Sequence, residues 1–195
     1  MLKAFSAFVV IVLLNSCSQS TPSLNKKIIN PQISATQLDY SFIQDLNQLR
    51  AKGTACSSPT TPLHFNSYLK KAAMAHAKDM AFNNFLEHDG SGDSLDVAKN
   101  KDIRQSSFIE RILFFGYEAK PYNLLGEVVT KTKFKKDKKS DTKAHFQRAL
   151  KAFINDPDHC KVLMNPRFKD VGVGYYKAKD GYYWVIDLGE KNARR

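Results

Sequence analysis

The stretch FINDPDHCKVLMNPRFKDVGVGYY, residues 153–176, contains the signals that organise the C-terminal half of the chain. Asp156 followed by Pro157 predicts a helix start, because an aspartate side chain caps free backbone N–H groups and proline is tolerated at the first helical position. Within this helix, His159 stands directly before Cys160. The VGVG that follows is typical of a strand. The stretch therefore predicts a short helix that carries a histidine beside a cysteine, and then a strand.

Helix patterns precede this stretch and a hairpin follows it. Apolar residues at helical spacing predict a first helix that ends at Gly53, and Asn66 can cap a second helix. Ser107 and Glu110 form a capping box for a third helix. YNLLGEVVT predicts a strand, AHFQRALKAFIND predicts another helix, and the Asp-Gly pair at residues 180–181 predicts a hairpin turn. Helices first and a hairpin last indicate a layered α+β domain.

The N-terminal residues predict export. One lysine precedes an apolar run from Phe5 to Leu14, which is shorter than the roughly 20 residues of a membrane span and is typical of a signal peptide. The sequence LNSC, ending at Cys17, resembles a bacterial lipobox, in which the signal is removed before a cysteine that carries lipid. We therefore expect a lipoprotein-type signal peptide over residues 1–16, and a lipidated anchor with a flexible tether over residues 17–37. The alternative is an ordinary signal peptide with an incidental Cys17.

The remaining chain is expected to form one domain over residues 38–190, followed by a basic tail over residues 191–195. Lysine and arginine number 30 against 19 acidic residues, a net charge of +11. This excess favours anionic partners in the cell envelope, such as lipid headgroups, and the lipid anchor makes the membrane a partner. Residues 131–143, with seven lysines, predict a mobile loop near anionic surfaces or simply a solvated loop. No GxGxxG, P-loop, HExxH, CxxC or GxSxG motif is present, so dinucleotide binding, nucleotide binding and the common protease mechanisms lack support. We expect no nucleic-acid partner.

Three cysteines are an odd number for an exported protein. If Cys17 carries lipid, Cys56 and Cys160 remain as a candidate pair in an oxidising compartment. Their separation in the sequence leaves open whether they lie close together in the fold.

Four polar residues at loops or element ends are the candidates for a site: His88, Glu127, Asp156 and His159. Each also has a simpler interpretation. His88 can be a solvated loop residue, Glu127 an exposed strand carboxylate and His159 a first-turn residue, while Asp156 is expected to cap its helix in any case.

Read in order, four segments of the chain resemble the CAP superfamily, which comprises cysteine-rich secretory proteins, insect venom antigens and plant pathogenesis-related proteins. The segments are LNQLRAKGTAC, PLHFNSYLKKAAMAHAKDMAFNNFLEHDGSG, GYEAKPYNLLGEVV and FINDPDHCKVLMNPRFKDVGVGYY. The resemblance is to the bacterial secreted branch and spans about Leu38 to Leu188. It implies an α–β–α sandwich, with a small antiparallel sheet between helical layers.

The resemblance also implies a cleft that gathers two histidines and acidic residues. His88 matches the first histidine of the family, Glu127 the glutamate of its Gly-Glu-Asn motif, and His159 the second histidine. Asp156 falls where eukaryotic members often carry a second glutamate and bacterial members often a serine. These four residues are therefore the expected ligand-binding residues.

Many bacterial members of the family carry cysteines at the positions of Cys56 and Cys160, so the resemblance implies a disulfide between them. We expect this crosslink to hold His159 facing His88. Val128 departs from the family pattern, because it replaces the asparagine that usually follows the glutamate.

Two neutral imidazoles with nearby carboxylates suit a divalent metal such as zinc, with His88 and His159 as the expected metal ligands. The expected function is that of a cell-envelope lipoprotein whose cleft binds a lipid or another small ligand, with a metal as a candidate cofactor. The alternatives are a metal-assisted hydrolase that uses the His/Glu cleft, and a structural envelope protein with a vestigial cleft. No catalytic residue is assigned. His64, His76 and His145 match no family site and are assigned structural or surface roles.

Overall fold

The computed structural model describes residues 36–99, 105–119, 124–134 and 141–190. The predicted signal peptide, Cys17, most of the predicted tether and the basic tail lie outside the described residues. Within the described ranges, no helix is both long and apolar enough to cross a membrane.

The described part of the chain contains five helices and four strands: α1 (Gln37–Lys52), β1 (His64–Phe65), α2 (Ser67–Asn83), α3 (Phe108–Phe114), β2 (Leu125–Lys133), α4 (Thr142–Asn155), α5 (Pro157–Met164), β3 (Asp170–Lys177) and β4 (Gly181–Gly189).

The strands form one sheet in the order β1-β3-β4-β2. β4 pairs antiparallel with both β2 and β3, which confirms the expected antiparallel sheet and the terminal hairpin. β1 adds a short parallel edge, in which His64 pairs with Asp170. It has only two residues, too few to give an alternating pattern, and the sequence did not predict it.

The two faces of the sheet are covered by different helices. α1, α4 and α5 cover one face, where a core rich in aromatic side chains includes Phe42, Phe146, Phe153 and Trp184. α2 covers the other face, and α3 packs beside it. The fold is therefore an α–β–α sandwich of the α+β class, as predicted.

The VGVG motif is explained by the approach of α2 to β3. A Cβ atom at Gly172 would lie 2.0 Å from the backbone nitrogen of Lys70, and one at Gly174 would lie 2.2 Å from the carbonyl carbon of Ala73. Side chains there would push the helix away from the sheet. The two glycines let α2 lie directly on β3, while the alternating valines face the opposite core.

The predicted helix ends agree with the structure. Asn66 caps α2, and Ser107 and Glu110 form a complete capping box at α3. Asp156 accepts hydrogen bonds from the backbone N–H groups at the start of α5, as its capping role requires. Gly53 follows α1 with a φ of 79°, and its N–H donates to the Leu49 carbonyl.

The prediction of a mobile loop over residues 131–143 is wrong at both ends. Lys131 and Lys133 belong to β2. Thr132 between them is buried and accepts a 3.0 Å hydrogen bond from the indole of Trp184. At the other end, Asp141 caps α4. The lysine-rich composition did not indicate the end of a strand, because only alternate residues of this strand face the core. Residues 135–140 lie outside the described residues.

The Cys56–Cys160 disulfide is confirmed. The two Cα atoms lie 6.2 Å apart, so the bond ties the segment after α1 to the first half of α5. Arg50 strengthens the same junction from within the core: its Nε donates to the Thr61 carbonyl at 2.8 Å, and its guanidinium also donates to the carbonyls of Leu163 and Asn165. Burial lowers the pKa of Arg50 to about 10. Lone carbonyls at a helix end need such donors, so Arg50 fixes the C-terminal end of α5.

Candidate functional site

His88 lies in the long segment between α2 and α3, and two buried aspartates shape this segment. Asp79, on α2, accepts hydrogen bonds from the hydroxyl of Ser91 at 2.6 Å and from its backbone N–H at 2.9 Å. Asp96 accepts from the backbone N–H of Ser106 at 2.8 Å. These bonds fix the sequence EHDGSGD at Ser91 and close the loop that follows it.

Gly90 is required in this segment by the close approach of Asp96. A Cβ atom at residue 90 would lie 2.3 Å from a carboxylate oxygen of Asp96. The Gly90 N–H donates to the Ser106 carbonyl at 2.8 Å, and Arg111 donates to the His88 carbonyl at 2.6 Å. The backbone from the His88 carbonyl to Gly90 is therefore held in place.

The His88 ring forms a hydrogen bond with Glu127. The distance from His88 Nδ1 to Glu127 Oε1 is 2.9 Å, and Arg111 Nη2 lies 3.0 Å from the other oxygen, Oε2. The side chain of Glu127 is fully buried, whereas that of His88 is 49% exposed. A buried carboxylate thus connects a buried guanidinium to an imidazole at the surface.

These contacts act on the pKa values of both partners. Burial alone would raise the pKa of Glu127, but the hydrogen bonds and charges of His88 and Arg111 bring it below its usual value. The hydrogen bond with Glu127 raises the pKa of His88 above the ordinary value for histidine, against the opposing effect of partial burial. Glu127 is therefore ionised, and it favours the protonated form of His88.

Asp187 lies directly beside Glu127. The two residues are register partners in the β2–β4 ladder, and Asp187 is also buried. Burial, followed by the negative charge of Glu127, raises the pKa of Asp187 well above its ordinary value. Two close carboxyl groups away from water rarely ionise together, so one is neutral and the other charged. Asp187 is the neutral member.

His76, on α2, completes the buried polar group. Its Nε2 lies 2.9 Å from the carbonyl oxygen of Glu87, next to His88 in the chain. Burial lowers the pKa of His76, and the charges of Glu127 and Arg111 act on it in opposite directions. The residue is a neutral, buried histidine that holds the start of the His88 segment.

A cleft of about 660 Å³ opens beside His88. Its lining is mainly polar and acidic, and consists of Asn83, Phe85, Glu87, His88, Asp89, Gly90, Ser91, Asp93 and Gln105. Phe85 is its single aromatic residue. A cleft of this size is large enough for a small ligand.

The other two predicted site residues form a separate pair in the other helical layer. His159 Nδ1 lies 3.5 Å from Asp156 Oδ1 in the first turn of α5, and its ring packs at 5.4 Å from that of Phe153. The structure therefore brings His88 to Glu127 and His159 to Asp156. That His159 faces His88 across one cleft stays a prediction.

A metal site requires more ligands than either pair offers. In both pairs, Nδ1 of the histidine is directed at a carboxylate, which leaves Nε2 for another partner, as is common in metal-binding histidines. However, over the described ranges no group of three or more His, Cys, Asp or Glu side chains could hold a metal ion. Each pair by itself therefore supplies fewer ligands than the three or four protein ligands of a structural or catalytic zinc site.

The sequence did not predict the roles of Arg111 and Asp187. Asp187 gave one usable signal, because a carboxylate within the apolar run YYWVIDLG is unusual and indicates a buried, partnered group. Arg111 lies in a helix whose pattern gives no sign that it points inward. Both partners are distant in the chain, so only the fold brings them to Glu127.

The sequence of the domain matches a known protein family. The cysteine-rich secretory protein (CAP) family matches residues 43–188, and the chain belongs to this family. No curated protein matches the sequence.

Solved structures show the same fold. An outer surface protein from Borrelia burgdorferi superposes with a TM-score of 0.56 at 17% identity, covering 82% of this chain and 97% of the other. An extracellular SCP-domain protein from Bacillus anthracis str. Ames superposes with a TM-score of 0.53 at 18% identity, covering 82% of this chain. This chain spans 45% of the length of that second protein. At these identities the likeness concerns the fold alone.

Proposed function

We propose that this protein is an exported binding module of the cell envelope, and that the cleft beside His88 takes a small polar ligand. The observation that carries the proposal is the half-exposed His88 ring, fixed by a 2.9 Å hydrogen bond to a fully buried carboxylate. A surface histidine with no ligand role does not need an ionised glutamate, a buried arginine and a hydrogen-bonded loop backbone to hold it in one orientation.

The chemistry of His88 follows from this anchoring. The ionised Glu127 accepts a hydrogen bond from Nδ1, so neutral His88 carries its proton there and presents Nε2 as an acceptor. When His88 is protonated, Nε2 becomes a donor. The raised pKa increases the population of this second form near neutral pH. The ring can therefore bind either a donor or an acceptor group of a ligand, depending on pH.

The cleft lining indicates the class of ligand. Glu87, Asp89 and Asp93 contribute carboxylates, whereas apolar contact comes mainly from Phe85. Such a lining disfavours acyl chains and anions, and favours amine or hydroxyl groups with one face that can pack on an aromatic ring. We therefore propose an amine-bearing or hydroxyl-rich headgroup as the ligand, rather than the apolar part of a lipid.

Export and lipid anchoring at Cys17 belong to the same proposal. The support is the signal-like N-terminal sequence with its lipobox, together with the likeness of the fold to an outer surface protein and to an extracellular protein. The net charge of +11 favours contact with anionic envelope components. Cell fractionation tests the anchor: the Cys17→Ala protein should leave the membrane fraction, and unchanged membrane association would contradict lipidation.

Zinc binding by His88 and His159 is retained as a separate proposal that the ligand proposal does not need. The two candidate imidazoles each belong to a separate pair, so no step of binding is assigned to a metal here. The metal-assisted hydrolase alternative depends on the same missing ligands. Calorimetric titration with zinc decides the matter: binding that is lost in both His88→Ala and His159→Ala supports a shared site, and equal heats in all three proteins exclude it.

Mapping a probe onto the protein tests the cleft. Glycerophosphoethanolamine, added to the ¹⁵N-labelled full chain, should shift backbone amide resonances of residues 83–93. Glycerol 3-phosphate keeps the hydroxyl groups but lacks the amine and is dianionic, so it should leave them in place because the acidic lining disfavours an anion. Shifts confined to other surfaces, or equal shifts with both compounds, would show that the acidic cleft does not select this ligand class.

A further inference from the structure

Three buried polar atoms beneath the cleft have no hydrogen-bond partner among the described residues: His76 Nδ1, Arg111 Nε and Asp187 Oδ1. The three residues are 0%, 2% and 1% exposed, respectively. Buried polar atoms are nearly always paired with protein or with ordered water. Three such atoms around one carboxylate therefore require an explanation.

The three side chains surround Glu127. Asp187 is its register partner on β4, and register partners have Cβ atoms about 4.5–5.5 Å apart. Arg111 reaches Glu127 directly through Nη2. His76 projects from α2, which packs on β4, and the charges of both Glu127 and Arg111 act on it and on Asp187. The unpaired atoms thus belong to a single interior region.

The donor and acceptor roles of the three atoms are fixed by chemistry. His76 Nε2 faces the Glu87 carbonyl oxygen, which can only accept, so Nε2 carries the proton and Nδ1 has a free lone pair. Arg111 Nε always donates. Neutral Asp187 is hydrogen-bonded to Glu127, so its acid proton is directed at that carboxylate and Oδ1 is left as an acceptor. The region therefore offers one donor and two acceptors.

We propose that these three atoms line an internal site that binds one water molecule. The water oxygen accepts from Arg111 Nε, and its two hydrogens go to His76 Nδ1 and Asp187 Oδ1. Buried waters typically make about three hydrogen bonds to otherwise unpaired groups, which is the number available here. A cation is opposed by the N–H of Arg111, and an anion by the charge of Glu127, so a neutral molecule with two donor hydrogens is the occupant that fits.

Such a water would join three elements behind the Glu127 carboxylate: α2 through His76, α3 through Arg111 and β4 through Asp187. It would hold Arg111 at the distance at which its charge keeps Glu127 ionised. The site thus acts as a positioning element for the His88 ring, and it does not depend on which ligand the cleft takes.

Nuclear magnetic resonance of the full-length protein tests the site. The Arg111 Nε–H proton should show a direct dipolar cross-peak to long-lived water. The Nε–H of Arg50 is the matched internal reference, because it is equally buried but bonded to the Thr61 carbonyl at 2.8 Å, and it should show none. Asp187→Asn keeps an acceptor oxygen and should keep the cross-peak.

A crystal structure of the unmodified chain gives a second readout that does not depend on variants. It should contain an ordered oxygen within hydrogen-bond distance of at least two of the three atoms. An Arg111 signal without a water cross-peak, or a structure in which Asp187 Oδ1 bonds directly to His76 or Arg111, would overturn the proposal.

Discussion

Glu127 and Asp187 face the same side of the sheet from neighbouring strands, and both are buried under α2 and α3. Their environments push their pKa values in opposite directions, because Glu127 has two cationic partners and Asp187 has mainly burial and the charge of Glu127. The pair therefore carries a single negative charge. Arg111 neutralises that charge inside the domain, and His88 connects it to the cleft.

The first prediction concerns the pKa of His88. In Glu127→Gln the hydrogen bond that raises this pKa is weakened and the negative charge is lost, so the pKa of His88 should fall. Titration of the ring protons by NMR measures it. His145, which packs in the other helical layer, should titrate identically in both proteins. An unchanged His88 pKa would mean that Glu127 does not control the ring.

The same pair predicts the direction of a stability change with pH. Because the pKa of His88 is raised in the folded state, its contribution is complete below the unfolded value, about 6.5, and is lost as the pH rises through the folded-state pKa. Because the pKa of Glu127 is lowered, its contribution is present above about 4.3 and is lost as the pH falls through the folded-state value. Urea unfolding across this range should show both losses in the wild type. In Glu127→Gln both of these losses of stability should be absent. A plot of stability against pH that runs parallel to that of the wild type would contradict the assignment.

The second prediction contrasts the two carboxyl groups by mutation. At pH 7, Glu127→Gln leaves the charge of Arg111 buried without a counter-ion and should cost about 3–5 kcal/mol in the free energy of unfolding. Asp187→Asn replaces a neutral acid by a neutral amide and should change it by less than about 1 kcal/mol. Equal losses in the two variants would show that Asp187 is ionised, against the assignment made here.

Capping signals and glycine patterns made most of the fold predictable from the sequence. Asn66, Ser107 and Asp156 begin their helices where the local sequence indicates, and Gly172 and Gly174 mark the strand on which α2 lies. All these features depend on neighbours in the chain or on a regular period. The family resemblance supplied the disulfide and named His88 and Glu127 as residues of one cleft, and their hydrogen bond is seen only in the structure.

The part of the site that could not be predicted depends on long-range burial. In the sequence, Arg111 resembles a residue on the exposed face of a helix, but in the fold its side chain contacts Glu127. Asp187 is neutral because it is buried and lies beside the charge of Glu127. Arg50 is similar, since the carbonyls that it binds lie at the far end of α5. The direction of a polar side chain within its helix or strand follows from packing, and local sequence does not determine packing.

The third prediction concerns the disulfide. Cys56 and Cys160 are 104 residues apart, and closing so long a loop should stabilise the fold by about 4–5 kcal/mol if the gain is mainly chain entropy. Urea unfolding of Cys56→Ser/Cys160→Ser measures the loss, with Cys17→Ser as the matched control that leaves the crosslink intact. Because α5 carries His159, the double variant should also broaden the His159 ring signals. If the double variant is as stable as the control, the disulfide contributes little to the stability of the fold.

Affinity for the headgroup probe tests the central claim most directly. The dissociation constant of glycerophosphoethanolamine should be measured for the wild type, for His88→Gln and for His64→Gln, which alters an exposed histidine on the edge strand β1. Loss of one hydrogen bond to a charged group corresponds to a weakening of about tenfold or more, which is expected for His88→Gln only. Equal affinity in all three proteins would contradict the assignment of the His88 cleft as the binding site.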